Sequence, residues 1–334
     1  MAEHAYVAAI RPGEPEDLAA LRALGVAAHH GADDVLVASL ASPPPHVHHL
    51  VWAPAGVPRA WLRIVLRTRP RMRHGAKVDL AGEPEGVDAL LAEAEDLATR
   101  WFALVCMEVE LPDGDPLAER LAAAGWTSWV RRTGGWRQDG STRDQLTWGW
   151  LRPGFPPPPV PAAPPARPPR DPLPGLVVRR PTPADAAAIT SILRDPATRW
   201  GTLQVGTVPA AWWRERLAGA DGHQSYVVEH EGMIIANGGF HAFPAPRAHC
   251  SAFGMSVAGV AQGRGAGGLL LDAIVAGARD AGHARLELEV WTENHRAEAL
   301  YRSRGFVPEG VSPYAGWSDG GWTHSRHMVL RFQT

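Results

Sequence analysis

Cysteine is scarce in this chain of 334 residues: Cys106 and Cys250 are the only two. That count cannot build the disulfide framework of a small secreted fold, so both are expected as reduced thiols. A surplus of charge is also missing, since 33 Lys and Arg against 35 Asp and Glu give a formal net charge of -2. No overall basic field draws the chain to nucleic acid or to an anionic membrane, and the expected partners are small molecules. No stretch approaches the roughly 18 consecutive apolar residues needed to span a bilayer, and the N-terminal region has no basic segment followed by an apolar core. The expectation is a soluble, cytoplasmic protein. His46, His48 and His49 lie among prolines without a companion Cys, Asp or Glu pattern, so no metal is expected there.

What the chain does have is apolar bulk, 45% of its residues, and a length that suggests about two domains. Proline is concentrated in one place. Half of the residues from Arg152 to Gly175 are proline, including Pro156 to Pro159. Such a run lacks backbone donors and favours extended, semi-rigid spacers. The expected organisation is a first domain over 1–151, a linker over 152–175 and a second domain over 176–334.

The two sides of the linker begin alike. Tyr6 to Ile10 and Val177 to Arg180 read as strands, each followed by a proline-bearing turn and a helix start with an acid in its first turn, Asp17 and Asp185. They also end alike. Val105 to Val109, Pro116 to Leu121 and Gly125-Trp126 parallel a strand, a helix and Gly305-Phe306 further on, which points to an internal duplication with a period too long for a solenoid. Arg67, Arg69, Arg71 and Arg73 alternate at strand spacing and read as a solvated hairpin edge.

The stretch from Met255 to Leu271 reads as a strand, a glycine-rich turn and a helix start. Gly263, Gly265, Gly267 and Gly268 allow a tight turn that brings backbone N–H groups close to a ligand at a helix N-terminus. This is an anion cradle, and a diphosphate suits it. Neither G-x-G-x-x-G nor a P-loop is present. The pattern is Gln262-x-x-Gly265-x-Gly267, which resembles the acetyl-CoA pyrophosphate loop of the GNAT N-acetyltransferases. Downstream, the strand Leu286 to Val290 and then Asn294-x-x-Ala297, Tyr301 and Gly305-Phe306 follow in that family's order.

The resemblance implies an α/β (α+β) chain of tandem GNAT domains, each a mixed, mostly antiparallel central sheet flanked by helices. It implies acetyl-CoA as co-substrate, held by Gln262, Gly263, Arg264, Gly265, Ala266, Gly267 and Gly268, with Met255 and Val257 along the pantetheine arm and Asn294 and Ala297 beyond. Tyr301 falls at the family's general-acid position, with packing beside the sulfur as its alternative. Glu289 falls at a strand position used as a base in some members, with a solvated or salt-bridged residue as its alternative. Strand alternation puts Glu287 and Glu289 on one face, opposite Leu286, Leu288 and Val290.

Thr202, Leu203 and Gln204, in a run similar to bacterial L-amino-acid N-acetyltransferases, are the expected acceptor-binding residues. Trp212 to Arg216 falls where the family's variable acceptor-lining helices lie. In the first half, Glu83, Glu85 and Asp88 would repel phosphate before an expected helix over 89–98, and Leu121 stands where Tyr301 stands in the second. That half reads as a scaffold. The expected function is acetyl transfer to the amine of a small molecule, an amino acid or an amine-bearing metabolite. A mycothiol-synthase-like tandem enzyme and a non-catalytic acyl-CoA-binding module are the alternatives, and a homodimer stays open.

Overall fold

The structure is a computed structural model, and it describes residues 9–26, 33–156, 170–202, 208–218, 223–318 and 321–332. Two compact units emerge, one of residues 1–129 and 146–157, the other of residues 130–145 and 158–334.

In the first unit, β1 (Ile10–Pro12), α1 (Leu18–Ala23) and α2 (Asp33–Ala41) precede β2 (Val47–Trp52), β3 (Ala60–Leu66) and β4 (Gly75–Gly82). There follow α3 (Pro84–Arg100), β5 (Cys106–Pro112) and α4 (Leu117–Ala123), then β6 (Thr127–Gln138) and β7 (Ser141–Leu151), whose residues 130–145 belong to the second unit. Strands β1 to β4 form an antiparallel meander, and β5 joins β4 in parallel. Val87, Leu90, Leu91, Ala94 and Ala98 recur at helical spacing along α3 and pack on one face of this sheet with Leu62, Ile64, Val78 and Met107. The other face carries Leu21, Leu36, Leu40, Val51 and Trp61.

The second unit has β8 (Val177–Arg179), α5 (Ala186–Arg194), α6 (Pro196–Arg199), α7 (Ala210–Ala218), β9 (Gln224–His230), β10 (Met233–Ala242) and β11 (Cys250–Val257). Then come α8 (Ala266–Asp280), β12 (Arg285–Trp291), α9 (His295–Ser303), β13 (Val307–Ser318) and β14 (Gly321–Arg331). Its strand order is β6-β13-β14-β12-β11-β10-β9-β8, antiparallel where pairing is resolved except between β11 and β12. Helix α8 buries Leu270, Leu271, Ile274 and Ala278 on one face, with Tyr301 of α9 in the same apolar cluster. Helices α5 and α7 bury Ile189, Leu193 and Trp213 against Val227 on the other. Adjacent Val227 and Val228 serve opposite faces, as strand alternation requires.

The matching openings of the two halves have a matching cause. Arg11 grips Asp17 at 2.7 and 2.8 Å, and Arg179 grips Asp185 at 2.8 and 2.9 Å. Each aspartate also accepts the backbone N–H of the residue three before it, Glu14 or Thr182. The hydrogen bonds from Arg179 hold the Asp185 carboxyl down at about 2, against the opposing effect of burial. A depressed folded value contributes stability that is full above the ordinary carboxylate range and is lost as pH falls toward about 2. Asp185→Asn should therefore lower the melting temperature at pH 7, and the gap to wild type should close between pH 4 and 2. Thermal melts at both ends of that range check this.

Several sequence expectations shift. Helix α3 begins at Pro84, five residues before the expected start, because proline at the first helical position supplies the required backbone angle and Glu85 suits the first turn. Arg67 to Arg73 does not form a strand edge: β3 ends at Leu66, Pro70 to Met72 turns, and Arg67 pairs with Glu108. Residues 130–145 pack with the second unit, although they precede the proline run. Tyr6 to Ala8 and residues 157–169 of the linker lie outside the described residues. Among the described residues no helix is long and apolar enough to cross a membrane, and no metal-binding cluster occurs. His49 is buried, hydrogen-bonded to Ser39 at 2.9 Å, and pushed down to about 4 by that burial, while His48 stacks on Phe102.

Candidate functional site

The site is organised by a parallel strand pair that comes apart. Pairing between β11 and β12 covers only Cys250 to Ala252 against Arg285 to Glu287, although the strands continue to Val257 and Trp291. Beyond Ala252 the edge of β11 that faces β12 is left for another partner, and Gly254 in this stretch faces open space.

The glycine turn follows β11 directly. Gly263 and Gly265 have φ of 75° and 96°, a region that L side chains avoid, and Gly265 caps α8. The N–H groups of Ala266, Gly267 and Gly268 open the helix, where no intrahelical acceptor is available. Met255, Val257 and Leu300 close around Gly267, each within 3.7 Å of where a Cβ would stand. The turn is tied down on all sides. Asp195 accepts N–H groups from Ala197 at 2.9 Å and Gly259 at 2.6 Å, and Thr198 Oγ1 donates to the Val257 carbonyl at 2.8 Å.

Gln262 turns its side chain inward. Its Nε2 donates to Val257 O at 3.0 Å and Ala197 O at 3.2 Å, and its Oε1 accepts from Arg296. Its side chain thus staples the loop, and what it offers a ligand is backbone. Arg264 donates from Nε to Asp171 O at 3.1 Å, and Leu173 N–H returns a bond to Arg264 O at 3.0 Å. Arg170 reaches Gln262 O at 3.0 Å. Residues 170–173 thus run along the cradle, a contact without a signal in the linker's composition.

Asn294 caps α9, its Oδ1 accepting from Ala297 N–H at 3.3 Å. Its Nδ2 stands 2.8 Å from where a Gly201 Cβ would be, which brings the turn at Thr202 beside the start of α9. Leu203 and Gln204 lie outside the described residues. Trp212 is partly exposed with Arg216 over its ring, whereas Trp213 is buried.

Tyr301 is buried on α9, edge-on to Phe253 at 5.7 Å and tilted against Phe306 at 5.9 Å between ring centroids. Burial raises its phenol above the ordinary tyrosine value, so the proton stays on oxygen at neutral pH. Glu289 is exposed on β12 and lies on the face opposite Tyr301, because Leu288 and Val290 share Tyr301's cluster. Ser325 Oγ donates to Glu289 Oε2 at 3.1 Å.

Glu287, two residues before Glu289, is occupied otherwise. Burial alone would raise its carboxyl, but the guanidiniums of Arg247, Arg132 and Arg285 outweigh burial and lower it. It stays a buried anion. Both cysteines are buried thiols pushed up by burial, Cys106 to about 12 and Cys250 to about 11, so neither supplies a thiolate at neutral pH.

The first unit has a comparable strand pair. Its β4 and β5 also pair over only three residues, Gly75 to Lys77 against Cys106 to Glu108. Leu121 and Trp126 share the backbone bond that links Tyr301 and Phe306, N–H to O at 2.9 Å in one and 3.1 Å in the other. Where the second unit has its cradle, Gly82 and Gly86 press on Ala60 and Trp52, with Glu83 and Pro84 at the helix start.

Comparison with known proteins gives the site its family. The chain is 26% identical to the L-amino acid N-acetyltransferase AaaT of Escherichia coli (strain K12) over 46% of its own length and 96% of that protein. Among solved structures it is similar to a ribosomal-protein-alanine N-acetyltransferase from Brucella melitensis, at 25% identity over 47% of this chain and 99% of that one, with a TM-score of 0.42. A phosphinothricin acetyltransferase from Sinorhizobium meliloti, solved in complex with AcCoA, is similar at 21% identity over 47% of this chain and 88% of that one, with a TM-score of 0.44. Residues 187–306, which hold the glycine cradle, the splayed strands and Tyr301, match the acetyltransferase (GNAT) family. The C-terminal half of the chain is a GNAT acetyltransferase domain, an acyltransferase by family.

Proposed function

We propose that the second unit moves the acetyl group of acetyl-CoA, its co-substrate, directly to the amine of a small molecule, with an L-amino acid as the leading acceptor class. The observation that carries this reading is the gap between β11 and β12, which has an anion cradle at its end, the Tyr301 phenol on one face and the Glu289 carboxylate on the other. The cradle fits the group: Gly263 and Gly265 hold their φ without strain, and the α8 N-terminus favours a diphosphate. The stretch of β11 around Gly254 and Met255, which does not pair with β12, suits an extended amide-bearing arm. Acetyl-CoA supplies an activated acyl thioester.

The chain's own residues manage two protons. An amine arrives as ammonium and must lose one before attack, and Glu289 accepts it directly or through water. The departing thiolate must gain one, and Tyr301 holds it. Desolvation raises the Tyr301 phenol, and the same desolvation raises the basicity of a thiolate beside it, so the two remain matched. The weak similarity to an L-amino acid N-acetyltransferase supports the acceptor class. We further propose that the first unit is a second copy of the fold that has lost this chemistry, because Leu121 replaces the phenol and Gly82 and Gly86 are pressed shut.

Intact-mass detection of acetylated products across the L-amino acids and a set of simple amines tests the reading. An α-N-acetylated amino acid is the expected product. Acetyl-CoA that binds but releases no thiol with any amine would make the chain an acyl-CoA-binding module. A Cβ at Gly265 carries a strain of about 1–2 kcal/mol at its φ of 96°, so Gly265→Ala should weaken acetyl-CoA binding about tenfold. Calorimetry on the whole chain checks this, and unchanged affinity would place the diphosphate elsewhere.

A further inference from the structure

The last residues of the proline-rich linker carry an arginine to the glycine turn. Pro172 and Pro174 have no N–H and fix their own backbone angle, so the stretch Arg170-Asp171-Pro172-Leu173-Pro174 is stiff, and Leu173 holds the single backbone donor between the two prolines. That donor goes to Arg264 O at 3.0 Å. Arg264 Nε donates in return to Asp171 O at 3.1 Å, and Arg170 Nη1 donates to Gln262 O at 3.0 Å. Further on, Leu173, Leu176 and Val178 pack on the apolar cluster of α8, with Leu176 Cδ1 3.7 Å from where a Gly265 Cβ would stand. The segment is fixed to the loop by hydrogen bonds and to the core by its apolar side chains.

These bonds sort the polar groups of the turn. The segment donates to the carbonyls of Gln262 and Arg264 and takes no backbone N–H of the turn. Carbonyl oxygens, which repel a phosphate, are thereby covered. Of the other charges near the turn, Arg304 pairs with Asp272 at 2.9 Å, Arg296 donates to the Gln262 side chain, and the Asp195 carboxylate accepts N–H groups from Ala197 and Gly259. Arg170 and Arg264 instead bind carbonyls, and among the described residues neither forms an ion pair with a carboxylate. The stem of Arg170 lies along the turn, its Cδ 3.4 Å from where a Gly263 Cβ would stand. A guanidinium has five N–H donors in a planar fork, and Arg170 spends one of them on Gln262 O.

We propose that Arg170 is a cofactor-binding residue supplied by the linker: its guanidinium, held against Gly263, donates to the diphosphate of acetyl-CoA in the cradle. The proposal rests on the reading of the turn as the diphosphate site. It extends the cofactor site upstream of residues 187–306, the stretch that matches the family. A hydrogen bond between a guanidinium and a phosphate oxygen is charge-assisted at both ends, and the planar fork suits such oxygens better than a point charge does.

Calorimetric titration of the full-length chain with acetyl-CoA tests this. Arg170→Ala should weaken binding about tenfold, and the gap to wild type should narrow as salt is raised and screens the charge. Arg170→Lys keeps the charge and should recover most of the loss. Arg170→Gln keeps a donor for Gln262 O without the charge, and should bind as weakly as Arg170→Ala. Wild-type affinity in Arg170→Gln would make the arginine a tie for the loop alone and overturn the proposal, as would unchanged affinity in Arg170→Ala.

Two further probes locate the contact. Acetyl-dephospho-CoA retains the diphosphate without the 3′-phosphate, and Arg170→Ala should lose the same factor of about ten with it. A loss confined to acetyl-CoA would put the guanidinium on the 3′-phosphate and contradict the proposal. S-Acetylpantetheine carries no phosphate and should bind wild type and Arg170→Ala equally. A parallel loss with this probe would mean that the substitution disturbs the site at large, and would also overturn the proposal. A wild-type chain that binds neither acetyl-CoA nor its dephospho form would instead sink the cradle reading, and the role of Arg170 with it.

Discussion

Tyr301→Phe should cut turnover by about 10²–10⁴-fold while leaving acetyl-CoA affinity within about twofold of wild type. The substitution deletes one hydroxyl and keeps the ring, which packs against Phe253 and Phe306 inside the apolar cluster of α8 and α9. Packing is therefore preserved, and the cradle around Gly265 to Gly268 lies on other backbone. Thiol release measured under saturating acetyl-CoA, beside calorimetric affinity, separates the two effects. A near-wild-type rate would mean that the thiolate leaves without this phenol. A parallel loss of binding would mean that the hydroxyl positions the thioester and holds no proton for it.

Much of this site was legible in the sequence, because the features concerned are local. The glycine spacing around Gly265, the strand before it and the alternation of Glu287 and Glu289 depend on neighbours in the chain. The paired Asp17 and Asp185 starts and the Leu121 and Tyr301 correspondence needed only counting along it. What could not be read were the partners brought from afar. Glu287 and Glu289 look equivalent as text, yet one is a buried anion held by three guanidiniums and the other is exposed. Gln262 matches a cofactor motif, yet its side chain holds Val257, Ala197 and Arg296. Helix α3 starts ahead of the expected 89–98 because a helix accepts proline at its first position, here Pro84. The proline run marked an end of the first half, and nothing in the hairpin before it announced that residues 130–145 pack with the second unit.

A chain comprising only residues 176–334 contains the whole family match but lacks 130–145, and with them the partners of several buried groups. Arg285 would lose the Thr133 carbonyl, Glu309 would lose the Thr133 N–H at 3.0 Å, and His249 would lose Gly134 O at 2.8 Å. Glu287 and His327 would lose Arg132, and β13 would lose its ladder contact from Gly310 to Val130. Removing one side of a buried, hydrogen-bonded charge network costs about 3–5 kcal/mol, a large share of the roughly 5–15 kcal/mol that holds a typical domain together. A chain starting at residue 130 keeps these partners. It should melt about 6–20 °C above one starting at residue 176, the shift expected for that free energy in a domain of this size. Circular dichroism melts of the two chains decide the point. Equal melting temperatures would show that the 176–334 segment carries its own stability and that the hairpin is an accessory to it, whereas a non-cooperative shorter chain would show that the domain draws on residues 130–145, ahead of the start at residue 176 that the sequence suggests.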